Sequence, residues 1–122
     1  MRAQLKRLHS PDVYDLEKFA PDPADDFGFL LQLMVGPEGE PGEESFDVMV
    51  CTPEWLKRNF KPSDFVIGRH RLIVFEYDYA RLRAFLARRC EKCMADTWLE
   101  IASQLSRLGH WEFEDYTPYK SG

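Results

Sequence analysis

The chain has 122 residues, 44% hydrophobic and 14% aromatic, which is enough for one domain with a substantial core. No apolar run approaches the ~18 residues of a membrane span, and no apolar stretch follows the basic N-terminus as in a secretory signal. Three cysteines are too few for a disulfide scaffold. We therefore expect a single cytoplasmic domain over residues 1–122, with no membrane partner.

The net charge of −5 is unevenly distributed along the chain. Residues 12–47 carry eleven acids and one base, whereas residues 57–92 carry ten bases and four acids. Because a nucleic-acid-binding protein should present a basic footprint, we predict no nucleic-acid partner. The acidic half favours either a basic protein partner or simple solubility.

The first half of the chain is predicted to hold three strands. Alternating side chains predict a strand over Ala3–His9, and the proline-rich, acidic segment Pro11–Asp26 predicts a loop with one helical turn near residues 12–19. Phe27–Val35 is apolar on both faces, which is typical of a central strand covered on both sides. Ser45–Thr52 alternates again, so we predict an antiparallel hairpin whose tip is the acidic segment Gly36–Glu44.

The second half is predicted to be mainly helical. Thr52-Pro53-Glu54 predicts the start of a short helix that ends near Phe60. Asp78 is predicted to cap one amphipathic helix. A second is predicted to start at Asp96 or Thr97, where Thr97 and Glu100 fit a capping box, and Gly109 is predicted to be its C′ residue. The apolar positions predicted to face the core are Tyr79, Leu82, Phe85, Leu86 and Cys90 in the first helix, and Trp98, Ile101, Ala102, Leu105 and Leu108 in the second.

Two more strands complete the prediction, one over Arg69–Tyr77 and a final one over Trp111–Tyr116, with Trp111 and Phe113 anchoring the final strand in the core. The order β, loop, β-hairpin, short α, β, α, α, β predicts an α+β fold. We expect a largely antiparallel sheet packed, as a single pair of layers, against two amphipathic helices.

Cys90-x-x-Cys93 is the most tempting chemical motif. It lies at the C-terminal end of a predicted helix, where the helix dipole disfavours a thiolate, so we interpret these cysteines as structural rather than redox-active. His9, His70 and His110 are isolated in sequence and do not have zinc-ligand spacing. The sequence therefore predicts neither a metal site nor a cofactor.

Glu112 and Glu114 would project from the same face of the final strand, roughly 7 Å apart. That separation is compatible with acid–base catalysis by a small hydrolase. Strands also commonly display solvated glutamates, so the sequence predicts no catalytic residues and no enzyme. A hydrolase that uses these two carboxylates is kept as an alternative, as is an uncommitted protein-binding module.

Several segments between about residue 20 and residue 116 match a known pattern. They are Asp26–Gln32, Phe46–Leu56, Gly68-Arg69-His70, Leu72-Ile73-Val74, Thr97-Trp98 and Trp111–Tyr116. Together these segments resemble the immunity protein 8 family. The resemblance implies a small bacterial α+β protein encoded beside a polymorphic toxin, which it binds and neutralises. Such proteins are inhibitors and not enzymes.

The acidic segments are the candidate sites for such a partner, with the hairpin tip first. If the toxin is a nuclease, its phosphate-binding groove is positive and these carboxylates would act as phosphate mimics. The alternative interpretation of the tip is a solubilising loop. The candidate partner-binding residues are Glu38, Glu40, Glu43, Glu44, Asp22, Asp25, Asp26, Glu112, Glu114 and Asp115.

Overall fold

The computed structural model describes residues 1–114 and confirms the predicted α+β fold. Segments in which apolar side chains recur at every second position form the strands. Segments with a capping residue and apolar side chains at helical spacing form the helices. The elements in chain order are β1 Ala3–His9, β2 Gly28–Pro37, β3 Glu44–Cys51, α1 Pro53–Asn59, β4 Arg71–Ile73, α2 Tyr79–Glu91, α3 Trp98–Leu105 and β5 His110–Trp111. No helix in the described part of the chain is long and apolar enough to cross a membrane.

The sheet is mixed, and three of its strands, β2, β4 and β5, pair with β3. β1 and β2 are antiparallel, and β2 and β3 form the predicted antiparallel hairpin. β4 runs parallel to the C-terminal half of β3, pairing Met49 with Arg71, while β5 runs antiparallel to its N-terminal half, pairing Asp47 with His110. Since β2 occupies one side of β3, β4 and β5 share the other side.

One face of the sheet carries the core. Alternate side chains of β2 and β3 point to this face and pack under the apolar stripes of α2 and α3. Burial of each such side chain contributes roughly 1.5–3 kcal/mol. The fully buried side chains that join the layers include Leu31, Leu33, Phe46, Val48, Leu86, Cys90, Ile101 and Leu105.

The opposite face of β2 is partly covered, so the prediction of a strand covered on both sides holds fully for the core face and in part for this outer face. Leu30, Gln32 and Met34 are partly exposed on this outer face. α1 lies against this face at Gly28, where a Cβ would lie 2.4 Å from Cε2 of Trp55. Glycine is therefore required at this position for α1 to lie against the sheet.

Both predicted strands of the second half are shorter than their alternation suggested. β4 spans three residues rather than 69–77, because His70 has a positive φ of 64° before it and the chain leaves β3 after Val74. β5 spans His110–Trp111 rather than 111–116. A turn follows it, in which Glu114 N–H donates to Trp111 C=O at 2.9 Å. The predicted strand residues Asp115 and Tyr116 lie outside the described residues.

The predicted helix starts are confirmed. Thr52 accepts a hydrogen bond from Trp55 N–H, Asp78 from Arg81 N–H, and Thr97 from Glu100 N–H, at 3.2, 3.1 and 3.2 Å. These side-chain oxygens satisfy N–H groups that have no partner within the first turn.

Three details of the predicted helices and core are wrong. α3 ends at Leu105, so Gly109 is not its C′ residue. Gly109 instead lies against β3, where a Cβ would approach Val48 Cγ2 to 3.0 Å. Phe85 and Phe113, which were predicted to face the core, are each 42% exposed.

The loop between β1 and β2 is irregular, as predicted, and contains a turn closed by Lys18 N–H and Asp15 C=O at 3.2 Å and another closed by Asp26 N–H and Pro23 C=O at 3.1 Å. Phe19 fixes this loop to the sheet. Its ring contacts those of Phe27, Phe29 and Tyr77 edge-on, with centroids 5.9, 5.4 and 4.9 Å apart. Edge-on aromatic pairs of this kind stabilise beyond the area that they bury.

Candidate partner-binding surfaces

The hairpin tip, residues 38–43, has basic neighbours in the structure that partly neutralise its negative charge. β1 and Arg2, which precedes it, run beside the tip and supply cations. Arg7 Nε lies 2.7 Å from Glu43 Oε1, and Arg2 Nε lies 3.8 Å from Glu38 Oε2. Lys6 Nζ donates to the backbone carbonyl of residue 40 at 2.6 Å. The acids of the tip therefore lie beside three basic side chains that are more than thirty residues away in the chain.

Glu44 and Glu112 form the base of the hairpin tip. Glu44 Oε2 accepts from Trp111 Nε1 at 2.5 Å, and Glu112 Oε1 accepts from Ser45 N–H at 3.0 Å. The structure thus brings Glu112 to the acids of the hairpin, which the sequence did not predict. Both carboxylates also hold the short strand β5 against the start of β3.

The segment 22–26 forms a second acidic surface. It precedes β2 whereas the hairpin tip follows it, and a ten-residue strand spans roughly 30 Å. Arg58 donates to both carboxylate oxygens of Asp26, at 2.9 and 3.1 Å, while Asp22 and Asp25 are exposed. The two acidic surfaces are therefore separate.

Glu114 lies in an ion-pair cluster apart from Glu112. Its carboxylate accepts from Arg69 at 2.6 and 3.3 Å and lies 3.5 Å from His110 Nε2. Because Glu112 and Glu114 lie in a turn and hold different partners, the strand face proposed for a hydrolase does not exist. Asp115, the remaining candidate of this segment, lies outside the described residues.

The histidines at positions 70 and 110 are separated in sequence but adjacent in the structure. Their ring centroids are 5.6 Å apart and the rings meet edge-on. His70 Nε2 lies 2.7 Å from the carbonyl oxygen of Ser106, which can only accept, so this nitrogen carries the proton. The pair ties the end of α3 to the start of β4 and to β5, which is a structural role.

The cysteines are free thiols in environments that do not favour a nucleophile. Cys51 and Cys90 are fully buried. Burial, with smaller effects of Cys93 and Glu91, raises the pKa of Cys90 to about 12, and burial also raises the pKa of Cys93. Thiols with raised pKa values carry little thiolate at neutral pH.

Among residues 1–114, no group of three or more metal-ligating side chains comes together.

An apolar groove of about 600 Å³ lies between residues 72–78 and one side of α2. We call it the β4–α2 groove. Three large apolar side chains along it remain exposed, with exposed fractions of 41% for Ile73, 72% for Phe75 and 42% for Phe85. Exposed apolar side chains grouped in this way are typical of interaction sites.

The β4–α2 groove was not predicted from the sequence, because Phe75 was assigned to a long strand and Phe85 to the buried stripe of α2. The buried residues Leu82, Leu86 and Cys90 are spaced by four and form a complete stripe without position 85. That spacing is the signal that could have placed Phe85 outside the core.

Comparison with known families gives one result. The family model described as "Immunity protein 8" matches residues 3–116, which is almost the whole chain. No curated protein and no solved structure gives a match. The match includes all five strands and all three helices of the described structure.

Proposed function

We propose that this chain, which belongs to the immunity protein 8 family, binds a cognate toxin domain and neutralises it by stoichiometric inhibition. The family match over residues 3–116 is the observation that carries the proposal. Membership of an immunity protein family also indicates a non-enzymatic role, which fits the separate partners of Glu112 and Glu114. We further propose that the protein acts in the cytoplasm, where it meets the toxin before export.

Co-expression with the product of the adjacent gene tests this function directly. We expect that product to arrest growth when expressed alone, and we expect this chain to restore growth and to co-purify with it at a one-to-one ratio. An adjacent product that is neither toxic nor bound would contradict the proposal. Binding without toxicity would favour an uncommitted protein-binding module instead.

We propose the acidic hairpin as the surface that meets a basic region of the toxin, such as the phosphate-binding groove of a nuclease. Glu38 and Glu40 are exposed residues of the tip between β2 and β3. Glu38 pairs with the exposed Arg2, and exposed ion pairs contribute about 0–1 kcal/mol, so a toxin cation can replace Arg2. The side chain of Lys6 binds the backbone carbonyl of residue 40 and leaves the Glu40 carboxylate available. Complementary charge accelerates association and makes it sensitive to salt.

The other acidic candidates take lower rank on structural grounds. Asp26 and Glu114 each accept two hydrogen bonds from an arginine. Glu43 accepts from Arg7, and Glu44 and Glu112 hold the base of the hairpin tip. Asp22 and Asp25 are exposed, but they lie at the other end of β2. They therefore form a separate candidate contact, which a separate variant tests.

Reversing two charges in the hairpin tip should slow toxin binding. We expect the double variant Glu38→Lys/Glu40→Lys to lower the association rate constant roughly 10- to 100-fold at low salt and to flatten its salt dependence. Leaving Glu43 and Glu44 intact preserves the contacts that hold the hairpin. Stopped-flow association with the purified toxin domain at several salt concentrations is the measurement.

The matched control is Asp22→Lys/Asp25→Lys, which changes the net charge by the same amount at the opposite end of β2. We expect this variant to change the association rate much less than the hairpin variant does. Equal rates in wild type and the hairpin variant would remove the tip from the interface. If the Asp22→Lys/Asp25→Lys variant associates more slowly than wild type and the hairpin variant does not, the interface lies at the 22–26 surface.

A further inference from the structure

We propose that the β4–α2 groove binds an extended, acidic segment of the toxin domain, which pairs with the open edge of β4 and inserts apolar side chains into the groove. This inference rests on the proposed function, because it takes the toxin as the partner. It adds a second contact, which lies roughly 25 Å from the hairpin tip along the eight residues of β3.

The backbone of β4 has an open hydrogen-bonding edge. His70 C=O accepts from Met49 N–H and Val74 N–H donates to Cys51 C=O, both at 2.9 Å, so these alternate residues face β3. Arg71 and Ile73 consequently face away from β3. Arg71 N–H donates to Gly68 C=O at 3.1 Å, whereas the N–H of Ile73 has no acceptor within residues 1–114. An extended peptide satisfies such an edge by adding a strand.

The groove beside this edge suits the side chains of an added strand. Ile73 ends β4, Phe75 lies on the chain that follows it, and Phe85 lines the same groove from α2. A volume of about 600 Å³ falls within the range of roughly 300–1,000 Å³ that is common for ligand sites. Alternate residues of a paired strand point to the same side, so every second residue of the segment reaches the groove.

The charge of α2 selects an acidic segment. The helix contains four arginines, at positions 81, 83, 88 and 89, and one acid, Glu91. None of the four forms an ion pair in the described part of the chain, and Arg81 and Arg88 line the groove on either side of Phe85. Two acids also line the groove: Asp78 is engaged in capping α2, and Glu76 is exposed on the segment that follows β4. A second copy of this chain would bring two cationic helices together, so the charge disfavours it as the occupant.

Substitutions at the exposed walls of the groove test the inference with the purified toxin domain encoded by the adjacent gene as the probe. We expect Phe75→Asp and Phe85→Asp each to raise Kd at least tenfold, because each places a carboxylate at an apolar contact. We expect Arg88→Glu to raise Kd as well. The matched control is Leu99→Asp, which changes a 66% exposed apolar residue of α3 outside the groove and should leave Kd within twofold.

Amide hydrogen exchange in the wild-type chain tests strand pairing without any variant. The Ile73 N–H should exchange rapidly in the free chain and at least tenfold more slowly in the complex. Unchanged Kd values with an unprotected Ile73 amide would overturn this inference while the proposed function stands. Absence of binding by the wild-type chain would overturn both. Concentration-dependent protection of Ile73 in the chain alone would identify a second copy as the occupant and overturn the choice of partner.

Discussion

Replacing Phe46 with alanine is expected to lower the free energy of unfolding by about 3–5 kcal/mol. Phe46 is 1% exposed, and its ring stacks on Trp111 with centroids 6.4 Å apart. It pairs with Leu33 of β2 on one side of β3 and with Trp111 of β5 on the other. Its truncation therefore removes a buried ring and leaves a cavity where three strands and the helical layer meet.

Urea unfolding measures this loss, with Phe65→Ala as the control for removing a phenyl ring. Phe65 is fully exposed, at 102%, so its truncation should change the free energy of unfolding by no more than about 0.5 kcal/mol. The slope of the free energy of unfolding against urea concentration should be the same in the variant and in wild type. An unchanged slope shows that the substitution alters stability and not the compactness of the unfolded state. A cost below about 1 kcal/mol for Phe46→Ala would contradict its central place in the core.

Local periodicity was sufficient to predict the hairpin and the helices. β2 and β3 are consecutive in the chain and antiparallel, so their pairing requires a turn, which Gly36–Glu44 supplies. The helices were predictable because the capping side chains of Thr52, Asp78 and Thr97 act within three residues of themselves. These features depend on contacts that are short in sequence.

The lengths of β4 and β5 were not predictable, because they depend on a partner that is distant in the chain. Alternation over 69–77 and 111–116 shows that a segment suits a strand, but not that a neighbouring strand is available. β4 and β5 share one edge of β3, with β5 opposite positions 46 and 47 and β4 opposite positions 49–51. The eight residues of β3 therefore limit both strands.

The ion pairs at the candidate surfaces could not be predicted for a related reason. Summing charge over residues 12–47 ignores ion pairs between distant segments. Arg7 meets Glu43 and Arg58 meets Asp26, which are pairs separated by 36 and 32 residues. The β4–α2 groove was missed because Phe85 was assigned to the buried stripe of α2, although Leu82, Leu86 and Cys90 complete that stripe without it. The path of the chain after β4, which forms the other wall of the groove, depends on contacts that are distant in sequence.

Replacing Thr52 with valine should destabilise the protein by roughly 2–4 kcal/mol, although the side chain keeps its shape. Thr52 is fully buried, and its hydroxyl oxygen accepts from both Trp55 N–H and Phe27 N–H at 3.2 Å. The first bond caps α1 and the second fixes the chain at the start of β2. Loss of a cap costs about 1 kcal/mol, and an N–H left buried without an acceptor costs about 1–3 kcal/mol.

Thr97→Val separates these two contributions, because Thr97 caps α3 with the same geometry at an exposed position. Within residues 1–114 its hydroxyl oxygen accepts from Glu100 N–H and from no second backbone group, so its replacement should cost about 1 kcal/mol. The difference between the two variants in urea unfolding then measures the bond to Phe27. Equal costs would mean that water or a backbone shift satisfies Phe27 N–H. A larger cost at Thr52 would show that one hydroxyl joins α1, whose Trp55 lies over Gly28, to the start of β2.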